Sequence, residues 1–363
     1  MDEGFVRHWM DNCRNLEPEY LVDEMKKTIV TLLKVSISVG LIAYLIWDAT
    51  RGQDKVNVFA NLRDQPKNWW ILAGAWAVST AAVLLTFIRW WYLVRALEIP
   101  CRFSDAIRIS FWGFLFNLAP LGIVGGDLVK AFMLAHEHRR YRARAIASVL
   151  FDRALGLYIL FVVASVAILL TGFWRIDVPE IRMISQATFI ITIAGTLGIV
   201  LLLMPGVTDG RLSRAIGRLP RVGHILASLI DAVRMYRRKP IVLFVSSLMC
   251  IGVMCLFSIG IYLIARGLPG EVLSLGLHFV VMPLSAAVGV LPLPLGPFEF
   301  VLEFLYTHVP QAGASIAKGQ GLVVALAYRL ITVLIAALGI YYYLGNRREV
   351  ADAIHEEKEI GTI

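Results

Sequence analysis

Charge is scarce in this chain. Asp, Glu, Lys and Arg make up 17% of its 363 residues, against about 25% in soluble domains, and that shortage argues against a soluble multidomain enzyme. Cysteine is sparse too: Cys13, Cys101, Cys250 and Cys255 show neither a CxxC spacing nor a paired framework, which excludes a zinc ribbon and a disulfide scaffold. The glycine-rich stretch 122–130 lacks the Gly-Lys-Ser/Thr that a phosphate-cradling nucleotide loop requires. His136-Glu137-His138 is not the two-histidine, four-apart arrangement of a zinc enzyme, and Arg139 and Arg140 beside it would repel a metal. No Ser, His and Asp set with an interpretable order is present. The expectation is a protein that is not an enzyme and needs no cofactor or metal.

What the chain has in abundance is apolar sequence. Hydrophobic residues reach 58% and mean hydropathy is +0.69, gathered in blocks near the ~20 residues that cross a bilayer as a helix. Six blocks read as full spans, at 28–47, 70–89, 145–171, 185–204, 241–265 and 322–344. Aromatic residues at the ends read as interfacial belts, with Trp69 and Trp70 opening the second block and Trp90, Trp91 and Tyr92 closing it. The first block follows a polar, mixed-charge leader, so it is expected to be a retained span and not a cleaved signal peptide.

Two further hydrophobic stretches, about 107–135 and 272–308, are interrupted by Pro120, Gly122, Gly125 and Gly126 in the first and by Pro283, Gly289, Pro292, Pro294, Gly296 and Pro297 in the second. A continuous helix through either is disfavoured. Broken backbone at membrane depth is tolerated only where protein or a wet cavity covers it, so both read as re-entrant helical hairpins. With both hairpins returning to the side they leave, the inner segments carry 23 Lys and Arg and the outer segments 8. That bias puts both termini in the cytoplasm. It also makes the net charge of +8 a membrane-orienting feature, not a nucleic-acid footprint.

The predicted architecture is therefore an all-α polytopic membrane protein with six full transmembrane helices and two re-entrant broken-helix hairpins. The order span, span, hairpin, span occurs twice from opposite sides, in 28–171 and 185–344, which is the inverted-topology repeat of many secondary transporters. Segments 1–27 and 345–363 read as cytoplasmic ends. Segment 205–240 has apolar residues at helical spacing among basic residues from Arg211 to Lys239, and reads as amphipathic helix attracted to anionic lipid headgroups. A solvated linker is the alternative.

Ionisable side chains inside such blocks are costly and need a partner or a wet cavity. The candidates are Asp127, Lys130, Asp152, Arg153, Glu299, Glu303 and Arg329. Asp127 and Glu299 each follow a glycine or proline break, so first-turn positions are predicted for both, where a carboxylate complements the helix dipole. Arg153 and Arg329 suit phosphate, which a guanidinium meets with two parallel hydrogen bonds, or else a buried ion pair. Lys130 is one turn from Asp127 and could pair with it. Glu303 lies four after Glu299, a repulsive spacing that a proton or cation would relieve. Arg89 and Lys34, near span ends, read as snorkelling residues.

The stretches NLAPLGIVGGDLVKAFML (117–134), SVLFDRALGL (148–157), LPLPLGPFEFVLEFL (291–305) and AYRL (327–330) resemble the flippase-like transmembrane domain of lysylphosphatidylglycerol synthases. The resemblance implies a bacterial inner-membrane protein that moves polar or modified lipids between leaflets. It implies site positions at Asn117, Pro120, Gly125, Gly126, Asp127, Asp152, Arg153, Glu299 and Arg329, to which the residues themselves add Lys130 and Glu303. The second hairpin departs from the family's glycine-rich pattern, reading Pro292-Leu293-Pro294-Leu295-Gly296-Pro297. Only 19 residues follow Leu344, so a stand-alone member without the aminoacyl-transferring domain is expected. The expected function is a lipid translocase acting on a membrane phospholipid or other polar lipid, with a homodimer possible. The alternative is a non-transporting scaffold for a lipid- or glycan-modifying enzyme.

Overall fold

The computed structural model describes residues 36–50, 58–117, 122–203, 234–290, 293, 295–309 and 316–345. Every regular element among them is helical. In chain order these are α1 (Ser36–Thr50), α2 (Val58–Asp64), α3 (Trp69–Ala96), α4 (Phe103–Phe116), α5 (Gly122–Glu137), α6 (Arg142–Thr171), α7 (Pro179–Leu203), α8 (Pro240–Gly267), α9 (Leu275–Ala287), α10 (Pro297–His308) and α11 (Gln320–Gly345). Five of them, α3, α6, α7, α8 and α11, are long and apolar enough to cross a membrane, which makes this a multi-pass membrane protein. They match five of the six expected spans. Of the first span, 28–47, only the portion within α1 falls among the described residues. The terminal segments 1–27 and 346–363 and most of 205–240 lie outside them.

Local sequence accounts for several boundaries. The Asn68 side chain accepts a hydrogen bond from the Ile71 amide at 3.2 Å and so caps the start of α3. Pro240 opens α8 at the position where its missing N–H costs nothing. Gly172, at φ +70°, closes α6 in the left-handed conformation common just beyond a helix end.

Two expectations are corrected. Trp90 does not mark a membrane exit, because α3 continues to Ala96 and Trp90 is fully buried among Leu93, Leu97, Ile109 and Leu134. Pro283 does not break the second hairpin: it sits within α9, and the interruption comes between Val288 and Gly296. A proline removes one backbone hydrogen bond, and packing holds the helix across it.

The centre of the molecule is an antiparallel pair. Leu72 of α3 lies beside Gly267 of α8, Ser79 beside Gly260 and Leu85 beside Gly252, numbers rising on one helix as they fall on the other. Small residues let the backbones approach closely, the usual basis of helix association where no hydrophobic driving force operates between spans. Around this pair, α9 packs on α6 and α4 on α11.

The two interrupted stretches fold as helical hairpins with short arms of 14 and 16 residues in the first and 13 and 12 in the second. At 1.5 Å per residue each arm is roughly 18–24 Å long, short of the ~30 Å hydrocarbon core. The open ends are fastened: Arg108 to Glu137 at 2.8 Å in the first hairpin, and His278 to the Tyr306 hydroxyl at 2.6 Å in the second. Outward faces are apolar, most continuously on α7, where Ile190, Ile193, Leu197 and Leu201 are exposed.

Close packing of α3 on α8 is open to a direct test. A Cβ at position 260 would meet Ser79 Oγ at 2.8 Å, whereas one at position 74 meets nothing within 4 Å. Gly260→Leu is expected to destabilise by about 1–3 kcal/mol through overpacking, seen as a lower Tm in detergent. Gly74→Ala should leave Tm unchanged or slightly raised.

Candidate functional site

Each hairpin delivers a carboxylate to an arginine on the span that follows it. Asp127 on α5 receives Arg153 of α6 through both its oxygens, with Nη2 donating to Oδ1 at 2.8 Å and Nε to Oδ2. Glu299 on α10 receives Arg329 of α11, Nε donating to Oε1 at 2.5 Å, while that guanidinium lies over the Phe298 ring. The acid-to-arginine intervals of 26 and 30 residues thus correspond to real contacts. The pairs differ in exposure: the Arg153 side chain is 46% exposed and Asp127 18%, against 29% for Arg329 and 0% for Glu299.

They differ in backbone setting as well. Glu299 occupies the predicted first turn, and its Oε2 accepts the Gly296 amide at 2.7 Å. Gly296 is needed there, since its φ is +109° and a Cβ would strike Leu41 of α1 at 2.7 Å. Asp127 is not a first-turn residue. The helix begins at Gly122, so the acid lies in the second turn and answers to Arg153 instead of the helix end. Gly125 and Gly126 are buried within that helix and do not form an amide-lined loop. Gly126 lets α5 cross α4 at Gly113, where a Cβ on Gly113 would meet the Gly126 carbonyl at 2.7 Å.

Asp152 pairs with a cation other than its chain neighbour Arg153. Arg89 is not a snorkelling residue: it is 5% exposed, donates from Nε and Nη2 to the two Asp152 oxygens at 2.8 and 3.0 Å, and from Nη1 to Cys250 Sγ at 3.0 Å. One guanidinium therefore joins α3, α6 and α8. Successive residues of a helix point about 100° apart, so Asp152 and Arg153 face different neighbours. Its signal in the sequence was a cation inside a hydrophobic block with no acid at helical spacing in that block.

Glu303 serves a further helix end. The Gly319 amide donates to Oε1 at 2.6 Å and the Leu322 amide to Oε2 at 2.8 Å, while the Thr307 hydroxyl lies between the Glu303 carbonyl at 2.9 Å and Oε1 at 3.1 Å. The carboxylate caps α11 from a separate element, and the N–H groups orphaned there are what it satisfies. The like-charge spacing with Glu299 is relieved by these donors and by Arg329, so neither an added proton nor a cation is required to explain it.

Lys130 departs from its expected pairing with Asp127, whose oxygens Arg153 already occupies. Its side chain runs over Gly113, and Nζ lies 5.5 Å from the Phe87 ring centroid and 5.6 Å from that of Trp90. At 7% exposure it is buried, and no carboxylate or other acceptor among the described residues makes a hydrogen bond or ion pair with it. Asn117, at the end of α4, packs against Gly126 with its Oδ1 buried and without a donor. Of the basic segment, the half-exposed Lys239 donates to the Ala96 carbonyl at 2.9 Å and to Glu98 at 3.2 Å, which caps the end of α3. Lys318, just before α11, binds Asp48 of α1 at 2.9 Å, and that hydrogen bond holds its ammonium above the usual lysine range.

The energetic weight of the Arg89 cluster can be measured. Arg89→Met leaves the Asp152 charge buried without its cation and is expected to cost about 3–5 kcal/mol, read as a fall in Tm. Combining it with Asp152→Leu should restore most of that loss, because the pair is then removed together.

Among known proteins, the family described as Lysylphosphatidylglycerol synthase TM region matches residues 31–339. No curated protein and no solved structure matches the chain significantly.

Proposed function

The chain belongs to the family of lysylphosphatidylglycerol synthase transmembrane regions, membrane domains linked to lipid modification or transport, and from that premise we propose that it is a lipid translocase. It moves a polar, phosphate-bearing lipid between leaflets, the headgroup following a path between two halves while the acyl chains stay in the bilayer. It acts as a transporter and not as an enzyme.

The observation that carries this reading is the repeated contact of a hairpin acid with an arginine on the next span, Asp127 with Arg153 and Glu299 with Arg329. In both pairs the carboxylate holds one edge of the guanidinium and the side chain remains partly exposed. A guanidinium oriented in this way offers its remaining N–H groups to phosphate oxygens. Paired charge is also cheaper to keep at membrane depth than a bare cation.

The packing supports two halves of opposite orientation. The second span of each half, α3 and α8, run antiparallel against one another. The first arm of each hairpin packs on the final span of the other half, α4 on α11 and α9 on α6. We read this exchange as an inverted-topology repeat, with both hairpins re-entrant because their arms are shorter than the hydrocarbon core. Rocking of the halves about the α3–α8 seam then alternates access to the arginines. The basic bias of the segments beyond the spans favours cytoplasmic termini, and we propose a bacterial inner membrane as the location.

Leaflet exchange of a fluorescent phospholipid in proteoliposomes tests the reading. Vesicles holding the wild-type chain are expected to expose inner-leaflet label to an external quencher at least tenfold faster than empty vesicles, and Arg153→Ala should remove most of the gain. Equal rates with and without protein would overturn it.

A further inference from the structure

The two hairpin sites are unequal in charge, and the inequality indicates where a phosphate would rest. Lys130 lies within electrostatic reach of Asp127, Arg153, Asp152 and Arg89. Both carboxylates of that group are already held on both oxygens, Asp127 by Arg153 and Asp152 by Arg89. Three cations against two carboxylates leave one positive charge over, and the geometry identifies it as the Lys130 ammonium. That group is buried, with aromatic faces beside it and no acceptor among the described residues. An ammonium has three N–H donors, which aromatic neighbours leave in need of an acceptor.

The second hairpin carries the opposite excess. Glu299 and Glu303 face Arg329, while Lys318, within electrostatic reach of Glu303, is bound to a third carboxylate, Asp48, and the remaining negative charge is answered by the amides of Gly296, Gly319 and Leu322. These amides stand at the starts of α10 and α11, the positive ends of helix dipoles. The free edge of Arg329 can still meet a passing phosphate, but beside two carboxylates, so the phosphate rests there less favourably than at the first hairpin.

We propose that the first hairpin holds a seat for one phosphodiester monoanion, with Lys130 as its direct cationic contact and the outer edge of Arg153 beside it. This deepens the translocase reading and rests on it for the identity of the ligand as a lipid. A phosphodiester carries a single negative charge, which matches the surplus of the Lys130 cluster, and its oxygens supply the acceptors the ammonium lacks. Asn117, its Oδ1 buried without a donor beside Gly126, lies against the same crossing of α4 and α5 and is suited to a headgroup hydroxyl or amine. Lysine binds phosphate as a point charge and does not require a planar partner, so the seat tolerates a headgroup that turns as it passes.

The test is calorimetric titration of the full chain in a neutral maltoside detergent with three probes: dihexanoylphosphatidylglycerol, inorganic phosphate, and dihexanoylglycerol, which has the same tails and no phosphate. The wild type should bind the phosphodiester lipid, Lys130→Met should weaken that binding at least tenfold, Lys130→Arg should stay within about threefold, and dihexanoylglycerol should not bind. A folded Lys130→Met that titrates like the wild type overturns the proposal, as does inorganic phosphate binding more tightly than the lipid, which would make the ligand free phosphate. Thermal denaturation of the wild type gives a second readout that needs no variant: the phosphodiester lipid should raise Tm and dihexanoylglycerol should not, and equal shifts overturn the proposal. Wild-type protein that binds the lipid but does not exchange it between leaflets removes the translocase reading and supports the seat. Unaltered binding and unaltered exchange in Lys130→Met remove the seat and leave the translocase.

Discussion

A charge in hydrocarbon must be answered, and the architecture of this protein follows from how each one is. The Arg89–Asp152 pair, with the Cys250 thiol as a third partner, binds three spans together through one guanidinium. Asp127 and Glu299 fasten the two hairpins to the spans that follow them. Glu303 closes the start of the last span from across a helix boundary. These contacts are few, and each joins elements that are distant in sequence. In a medium that offers no competing water they serve as staples, because separating either partner exposes a bare charge.

Close packing supplies the rest. The α3–α8 seam and the α4–α5 crossing are both built on residues that lack a Cβ or carry a short side chain, so backbone meets backbone and dispersion forces act over a large contact. The same device sets the functional geometry: only because Gly113 and Gly126 touch can the long Lys130 side chain lie across α4 and bring its ammonium beside Phe87 and Trp90. Structure and proposed chemistry are therefore linked at one crossing. The hairpins that look alike in sequence differ there, since the second has its carboxylates occupied by helix ends and Arg329 and the first retains a cation in excess.

Much of the fold was legible from hydropathy alone. Blocks of apolar residues gave five of the spans to within a few residues except at the end of α3 and the start of α7, because a bilayer-crossing helix needs a run whose length and polarity are local properties. The hairpins were legible through proline and glycine, although Pro283 was misjudged: a proline lowers the odds of helix but packing has the last word. The sequence left Arg153 and Arg329 open between phosphate and an ion pair, and the structure sets each against the acid of its own half's hairpin. Asp127 as a first-turn acid was not correct, and the error came from placing the helix start after the glycines when it precedes them.

By itself the sequence determined the class of protein, the order and rough limits of its helices, the interruptions, and the short inventory of charges that need partners. Tertiary structure alone decided the partnership: Asp152 with Arg89 of a distant span, Glu303 with the amides of α11, and Lys130 with aromatic rings and no ion pair among the described residues. The reason is physical. Hydropathy and helix breaking act within a window of some twenty residues, whereas an ion pair depends on which faces of two distant helices are turned toward each other, and that is set only when the whole bundle is packed.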